Sequence, residues 1–510
     1  MLELEALAGS LLCVGLPGPA LAETERAALA TLRPSAVVLF ARNVSTLEAT
    51  RTLVADARAA IGGDVPALVC VDQEGGRVRR LPFARDAMPS MLALGASGDA
   101  DLARRAGVRL AAELRAVGAN VDFAPVLDLA CAAGTVVIGT RALGSDAREV
   151  GRMGAEFVRG MQSSGVAATA KHFPGHGATE ADSHLALPVL AADAPSLRAR
   201  ELVPFAAGLR AGGRAVMLGH ILVPALDADR PASLSPKAID LLRGECGFDG
   251  AIVTDCLQMD AVASDIGTVP AAVLALQAGA DLLTISHDLS VARAARDAIV
   301  AAVERGELDR RRLAAAAASS RSLRRGRPAA SPGVDLPATV AEIARRAVTL
   351  VRGDPVLPSY KAVNVVSFEG NLGDGVGADV EIRASLHLSL RRRRFQAESL
   401  RVASDPDDEM IDDLVSLVEA QMSRSLVVLM RRAHLRRQQA KAIARLLERV
   451  PDAVLISAAE PFDAMHFSVA RNVLCAYGDD EAMLEALADV LAGRLVPSGR
   501  SPVHLEHAIS

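Results

Sequence analysis

Eight short apolar runs alternate with longer amphipathic stretches through the first part of the chain, and this alternation limits its fold more than any other feature. The runs occupy residues 11–16, 36–40, 67–72, 121–127, 166–173, 215–221, 251–255 and 281–285. Each is short enough for a strand and apolar enough to be buried on both faces, as strands of parallel sheets are. Between them lie stretches with helical spacing. In residues 101–117, Leu102, Ala106, Leu110, Leu114 and Val117 share a face, and residues 146–161 behave alike. Strand–helix alternation implies parallel pairing through crossover helices. Eight such units are the number that closes a (β/α)8 TIM-type barrel. An open doubly wound sheet is the alternative.

The pattern breaks after an alanine-rich basic helix at residues 308–325, where Arg327-Pro328-Ala329-Ala330-Ser331-Pro332-Gly333 punctuates the chain. Pro/Gly/Ser-rich stretches of this kind mark domain boundaries. The expected organisation is a barrel over residues 1–325, a linker over 326–340 and a C-terminal α/β sandwich domain over 341–510. Strands are expected there at 362–368, 426–430, 453–457 and 473–476, with helices including 440–447 and 481–491. At 510 residues the chain is long enough for both domains.

Composition excludes several classes. A net charge of −5 over this length gives no reason to expect nucleic acid or an anionic membrane as partner. The basic run Arg391 to Arg394 reads as a solvated face. No apolar run reaches bilayer length. The six cysteines are scattered, and Cys13, Cys70 and Cys475 lie in strand-like runs, as reduced, buried thiols do. The N-terminal residues lack the basic start of an export signal, so a cytoplasmic location is expected.

In such barrels the chemistry sits where the strands end. The third run ends in Asp72-Gln73-Glu74-Gly75-Gly76-Arg77, and Asp128 follows the fourth. The fifth ends in Lys171-His172-Phe173-Pro174-Gly175-His176-Gly177, the sixth in His220, the seventh in Asp255. Any one of these is explained by a cap or an ion pair. Together they place charge from five strands at one mouth, where it must be paired or used. Asp182 and His184 stand two apart on the loop after the fifth strand. A carboxylate beside an imidazole fixes its tautomer and supplies a proton donor near neutral pH. Asp255 is open to two readings, nucleophile or helix N-cap. A metal site at His172, His176 and His184 is disfavoured, because the spacing matches no common zinc signature and no cysteine joins it. No metal and no cofactor are expected.

Five segments carry a resemblance: V-D-Q-E-G-G-R-V at residues 71–78, I-G-T-R-A-L-G at 138–144, K-H-F-P-G-H-G at 171–177, D-S-H at 182–184 and V-T-D-C-L-Q-M at 253–259. In order and spacing they resemble family 3 glycoside hydrolases, in particular the β-N-acetylglucosaminidase branch. The K-H-F-P-G-H-G…D-S-H pair is the most specific part. More loosely, Pro461-Phe462-Asp463, Ala476-Tyr477-Gly478, and Leu491-Ala492-Gly493 followed by Pro497-Ser498-Gly499-Arg500 resemble that family's second domain. The resemblance implies a retaining, exo-acting hydrolysis of terminal N-acetyl-β-glucosaminides, with a small-molecule carbohydrate as substrate. Asp255 would attack the anomeric carbon. His184, held by Asp182, would act as acid and then base. Asp72, Arg141, Lys171 and His172 would bind the sugar, with His220 and Met259 lining the pocket.

Two departures touch the rim: Cys256 and Gln258 stand where relatives often carry Asp and Glu, and Ala142-Leu143 replace Ser-Phe. With no Trp and two Tyr, the pocket is expected to grip one sugar by hydrogen bonds rather than by stacking along a chain. Three rivals follow. A β-glucosidase or β-xylosidase of the family would draw its acid from the second domain. A phosphorylase would profit from an imidazole that does not repel phosphate. A binding module without activity would not need a full nucleophile and acid/base set.

Overall fold

The computed structural model describes residues 2–83, 86–131, 137–179, 186–325, 335–358, 362–369 and 385–504. The first domain is a closed parallel barrel. Its strands are β1 (Leu12–Gly15), β2 (Ala36–Leu39), β3 (Leu68–Val71), β6 (Val121–Asp122), β7 (Ala167–Phe173), β8 (Ala215–Leu218), β9 (Ala251–Cys256) and β10 (Leu282–Ile285). A small hairpin, β4 (Gln73–Gly75) and β5 (Val78–Arg79), follows β3. Around the barrel the order is β1-β10-β9-β8-β7-β6-β3-β2, so β1 pairs with β10 and the open doubly wound alternative falls.

Seven barrel strands lie within the apolar runs and β9 passes the end of its run by one residue, because both faces are covered and nearly every strand residue is buried. The fourth is shorter than the run that contains it. Pro125 has no N–H for the ladder, and the regular strand ends at Asp122. Beyond it the chain stays tied to the neighbouring strand, Thr169 N donating to Ala124 O at 2.8 Å, Lys171 N to Pro125 O at 3.2 Å and Leu127 N to Lys171 O at 2.8 Å. The helices Ala100–Ala116 and Ala147–Ser163 are capped by Asp99 and Asp146. They touch backbone to backbone: a Cβ on Gly160 would lie 1.9 Å from Arg104 O.

The second domain holds β11 (Thr349–Arg352), β12 (Ala362–Glu369), β13 (Gln396–Ala403), β14 (Ser425–Met430), β15 (Val454–Ser457) and β16 (Asn472–Cys475). Their order is β11-β16-β15-β14-β12-β13, parallel except for β11. The four expected strands are the inner ones. β11 and β13 are edge strands with mostly exposed or half-buried residues, so neither makes an apolar run. One expectation is corrected. Arg393 is not on a solvated face: its side chain is 9% exposed and pairs with Glu485 and Asp489, while Arg392 also reaches Glu485.

The two domains share apolar core. Leu92, Ala96, Ile138 and Ala142 of the barrel pack in one cluster with Phe462, Tyr477 and Val503. Hydrogen bonds stitch the same seam, with Ser90 Oγ donating to Tyr477 O at 2.7 Å, Arg500 N to Ala96 O at 3.0 Å and Ser145 N to Pro502 O at 2.9 Å. Among the described residues, no helix is long and apolar enough to cross a membrane.

Candidate active site

Asp72 follows the last residue of β3, and β7 carries Lys171 and His172, so parallel pairing brings these residues to the same end of the barrel. Lys171 Nζ lies 2.6 Å from Asp72 Oδ1 and 2.6 Å from Glu74 Oε1. Arg141, on the short turn Gly139–Arg141, grips Glu74 with two parallel bonds of 2.8 Å. Lys171, Arg141 and Glu74 are buried, whereas the Asp72 side chain keeps 19% exposure. The cluster therefore opens to solvent at Asp72.

The electrostatics follow from burial against pairing. Burial opposes ionisation of Glu74, but Arg141 and Lys171 outweigh it and hold the carboxyl well below its ordinary range. Lys171 is also buried, yet Asp72 and Glu74 raise it. Asp122, beneath them, accepts the Gln73 N–H at 3.0 Å, but burial dominates and pushes its carboxyl well above the usual range.

Asp128 organises the loop after β7. It accepts the His172 ring at Nδ1 (2.7 Å), the His172 backbone N–H (3.2 Å) and the His176 backbone N–H (2.7 Å). This fixes the His172 ring with Nε2 turned toward Arg141 Nη2, at 3.5 Å. His176 meets Thr179 Oγ1 at 2.6 Å, and burial, helped by the charge of His172, pushes it down to about 4. Two glycines make the turn feasible. Gly175 has φ 135°, and a Cβ on Gly177 would lie 1.8 Å from Leu129 O.

Asp255 is half-buried at the end of β9, its Oδ1 accepting the Cys256 N–H at 2.7 Å. The next helix begins at Asp260 with Met259 as its N-cap, so Asp255 does not cap it. Met259 is 7% exposed there. His220 is buried with Nδ1 at 2.7 Å from Ser233 Oγ and Nε2 at 2.9 Å from Cys256 O, which ties the end of β8 to the backbone beside Asp255. Asp182 and His184 lie outside the described residues. Among the described residues, no group of three or more His, Cys, Asp or Glu is arranged to hold a metal ion.

The structure thus joins Asp72, Arg141, Lys171 and His172 in one bonded cluster and puts His220 and Met259 beside the Asp255 strand end. The sequence reading passed over Glu74, although it stands inside the 71–78 segment, two residues from Asp72. It used Asp128 only as a strand-end charge. It also missed Arg432 and Glu460 of the second domain, which reach the turn that carries Arg141.

Comparison with known proteins bears on the family and the fold. Residues 3–322 match the glycosyl hydrolase family 3 N terminal domain. A beta-hexosaminidase of Stenotrophomonas maltophilia (strain K279a) is 41% identical over 285 residues, covering 54% of this chain and 83% of that protein. One from Chromobacterium violaceum is 39% identical over 300 residues, 57% of this chain and 81% of its own length. The structure of a glycoside hydrolase family 3 beta-N-acetylglucosaminidase from Paenibacillus sp. str. FPU-7 superposes with a TM-score of 0.92 at 34% identity, covering 99% of both chains. A beta-glucoside phosphorylase, BglX, has the same fold at 22% identity and a TM-score of 0.80. The chain belongs to glycosyl hydrolase family 3.

Proposed function

We propose that this enzyme is an exo-acting retaining β-N-acetylglucosaminidase, a β-N-acetylhexosaminidase in class. One observation carries the reading: the buried Lys171–Glu74–Arg141 group opens at Asp72, at the barrel end where the Asp255 strand also terminates. A hydrogen-bonding floor of paired charges with one partly exposed carboxylate suits the hydroxyls of a single sugar. The relatives named beta-hexosaminidase and the Paenibacillus enzyme support the N-acetylated class.

In this reading Asp255 attacks the anomeric carbon while His184, supported by Asp182, protonates the departing oxygen. Water then adds at the same carbon, gives its proton to His184, and frees Asp255. Retaining enzymes usually set two carboxyl groups about 5.5 Å apart for these roles. Here an imidazole replaces the acid carboxyl and keeps its function. Arg141, Lys171, His172 and Asp72 bind the sugar and its acetamido group. His220 acts on the Asp255 strand end, and Met259 adds an apolar wall. No cofactor or metal enters the scheme.

A second reading, phosphorolysis, rests on the same imidazole, which does not repel an incoming phosphate as a carboxylate would. A screen of aryl β-glycosides, N-acetylated against plain, in phosphate and in phosphate-free buffer, decides both points. The expected result is release from the N-acetylated substrate alone, with free sugar as product in either buffer. Sugar 1-phosphate as the main product would establish the phosphorylase, and equal turnover of plain glucosides would sink the N-acetyl preference. The proposal extends to muropeptide-derived substrates in the cytoplasm during cell-wall recycling, which a periplasmic or secreted location on cell fractionation would refute. The division at residues 326–340 belongs with it, the second domain supporting the barrel.

A further inference from the structure

The bonds that fix Arg141 continue across the domain seam. Residues 137–141 form the turn that presents it. On the barrel side, Arg77 Nη2 donates to Val137 O at 2.8 Å and to Ile138 O at 3.2 Å, and Arg141 Nη1 reaches Val137 O at 3.2 Å. On the other side stands Glu460, which follows β15. Arg432, just after β14, donates to both of its oxygens, at 3.1 and 2.9 Å. Each of these side chains is only 1% exposed.

Glu460 rests against Gly139 itself. A Cβ added there would lie 2.1 Å from Glu460 Oε1 and 3.4 Å from Arg432 Nη2. Only a residue without a side chain lets the carboxylate come so close, and the positive φ of 46° makes the same demand. The pair sits at the C-terminal ends of the neighbouring parallel strands β14 and β15. Carboxyl ends of strands are where parallel sheets place working residues.

Charge argues in the same direction. Burial and then the Arg432 charge push Arg77 down to about 9, with Glu460 opposing that fall. Burial works against Glu460 too, but Arg432 outweighs it and keeps the carboxyl ionised. Glu460 is thus the anion that lets Arg77 and Arg432 lie close together on the two sides of one turn.

We propose that Glu460, held by Arg432, is a positioning residue for the sugar site, bracing the 137–141 turn from the second domain so that Arg141 is presented in its binding pose. This rests on the reading that Arg141 holds the sugar. The beta-hexosaminidase of Stenotrophomonas maltophilia, 83% of which is matched within 285 residues, is too short to carry a second domain of this size.

The test uses the full chain and an aryl N-acetyl-β-glucosaminide. Arg141→Lys, Glu460→Gln, Glu460→Asp and, as a control, Lys441→Gln in the exposed Lys441–Asp408 pair are compared. Glu460→Gln is expected to raise KM by about tenfold with kcat changed by less than about threefold, since loss of pose in a binding residue weakens association first. Glu460→Asp should recover part of the loss, and the control should match the parent. A merely structural Glu460 would instead lower Tm and the active fraction while leaving KM where it was, and that result overturns the brace. Should Glu460→Gln fail to fold, Arg432→Gln with Glu460→Gln removes both charges at similar volume. A raised KM then supports the proposal and an unchanged one defeats it. If Arg141→Lys leaves KM unmoved, the sugar-binding reading fails. If Arg141→Lys raises KM and folded Glu460→Gln does not, only the brace is lost.

Discussion

The barrel mouth and the facing edge of the second sheet are made from the same material, buried arginine–glutamate pairs at the ends of parallel strands, yet they are finished differently. At the mouth, Glu74 takes two cations, and Lys171 passes the network on to Asp72, which remains partly exposed. At the second edge, Arg432 and Glu460 close on each other at 1% exposure each. A buried ion pair by itself is weak evidence of net stability. The mouth leaves one polar group open to solvent, while in our proposal the facing edge fixes the geometry of the mouth.

This contrast can be broken in a definite order of effect. Asp255→Asn should lower kcat by several orders of magnitude on an aryl N-acetyl-β-glucosaminide, and His184→Ala should do the same. Near-normal turnover in either, together with a collapse of kcat in Glu460→Gln, would move the chemistry to the second domain and reverse the comparison.

Glu74→Gln comes next. It leaves Arg141 and Lys171 buried with one fewer anion, and breaking a buried pair in this way costs roughly 3–5 kcal/mol. Urea unfolding of the variant at pH 7 reads it, and a loss comparable to that of an exposed pair would contradict the burial argument.

His176 then sharpens the acid side of the barrel. Its folded-state pKa is about 4 against an ordinary value of 6.5, so the unfolded chain binds the extra proton between those limits. Stability due to this group is full above pH 6.5 and drains as pH falls toward 4, by at most about 3 kcal/mol. His176→Asn should flatten that slope when stability is measured at pH 7 and pH 5. An unchanged slope would show that another group governs it.

The smallest effect belongs to the second domain. Burial, with the Asp479 charge adding, pushes Asp480 up to about 7, although it caps the helix Glu481–Leu491. A carboxyl raised in this way binds its proton in the folded state, so its contribution is present at low pH and lost as pH rises toward 7. Asp480→Asn keeps a good cap and removes the titration. The variant should gain stability over the parent at pH 8 more than at pH 5, and the reverse trend would refute the assignment.

Legibility in the sequence followed burial. The barrel strands could be read because both faces are covered, which leaves continuous apolar runs. β11 and β13 could not, because an edge strand such as Gln396–Ala403 mixes charged and apolar residues without a run. Arg393 was misread for a related reason: a run of four arginines gives no sign that Glu485 and Asp489 lie across from it. In the candidate site, Asp72, Lys171 and His172 could be picked out because each stands in a compact segment at a strand end, and Arg141 only through the resemblance carried by residues 138–144. Glu460 had no such neighbourhood, and its partners Arg432 and Gly139 are meaningful only once the chain is folded.

By itself, the order of residues determined the strand–helix alternation, the number of units that closes a ring, and which polar groups end each strand. These are local properties, set by side-chain period and backbone preference. Only the tertiary structure decided that Glu74 is shared by Arg141 and Lys171, that Asp128 gathers the loop after β7, and that a carboxylate of the second domain lies against Gly139. Such pairings join residues far apart in the chain. Their energies depend on distance and burial, and neither exists until the chain has folded.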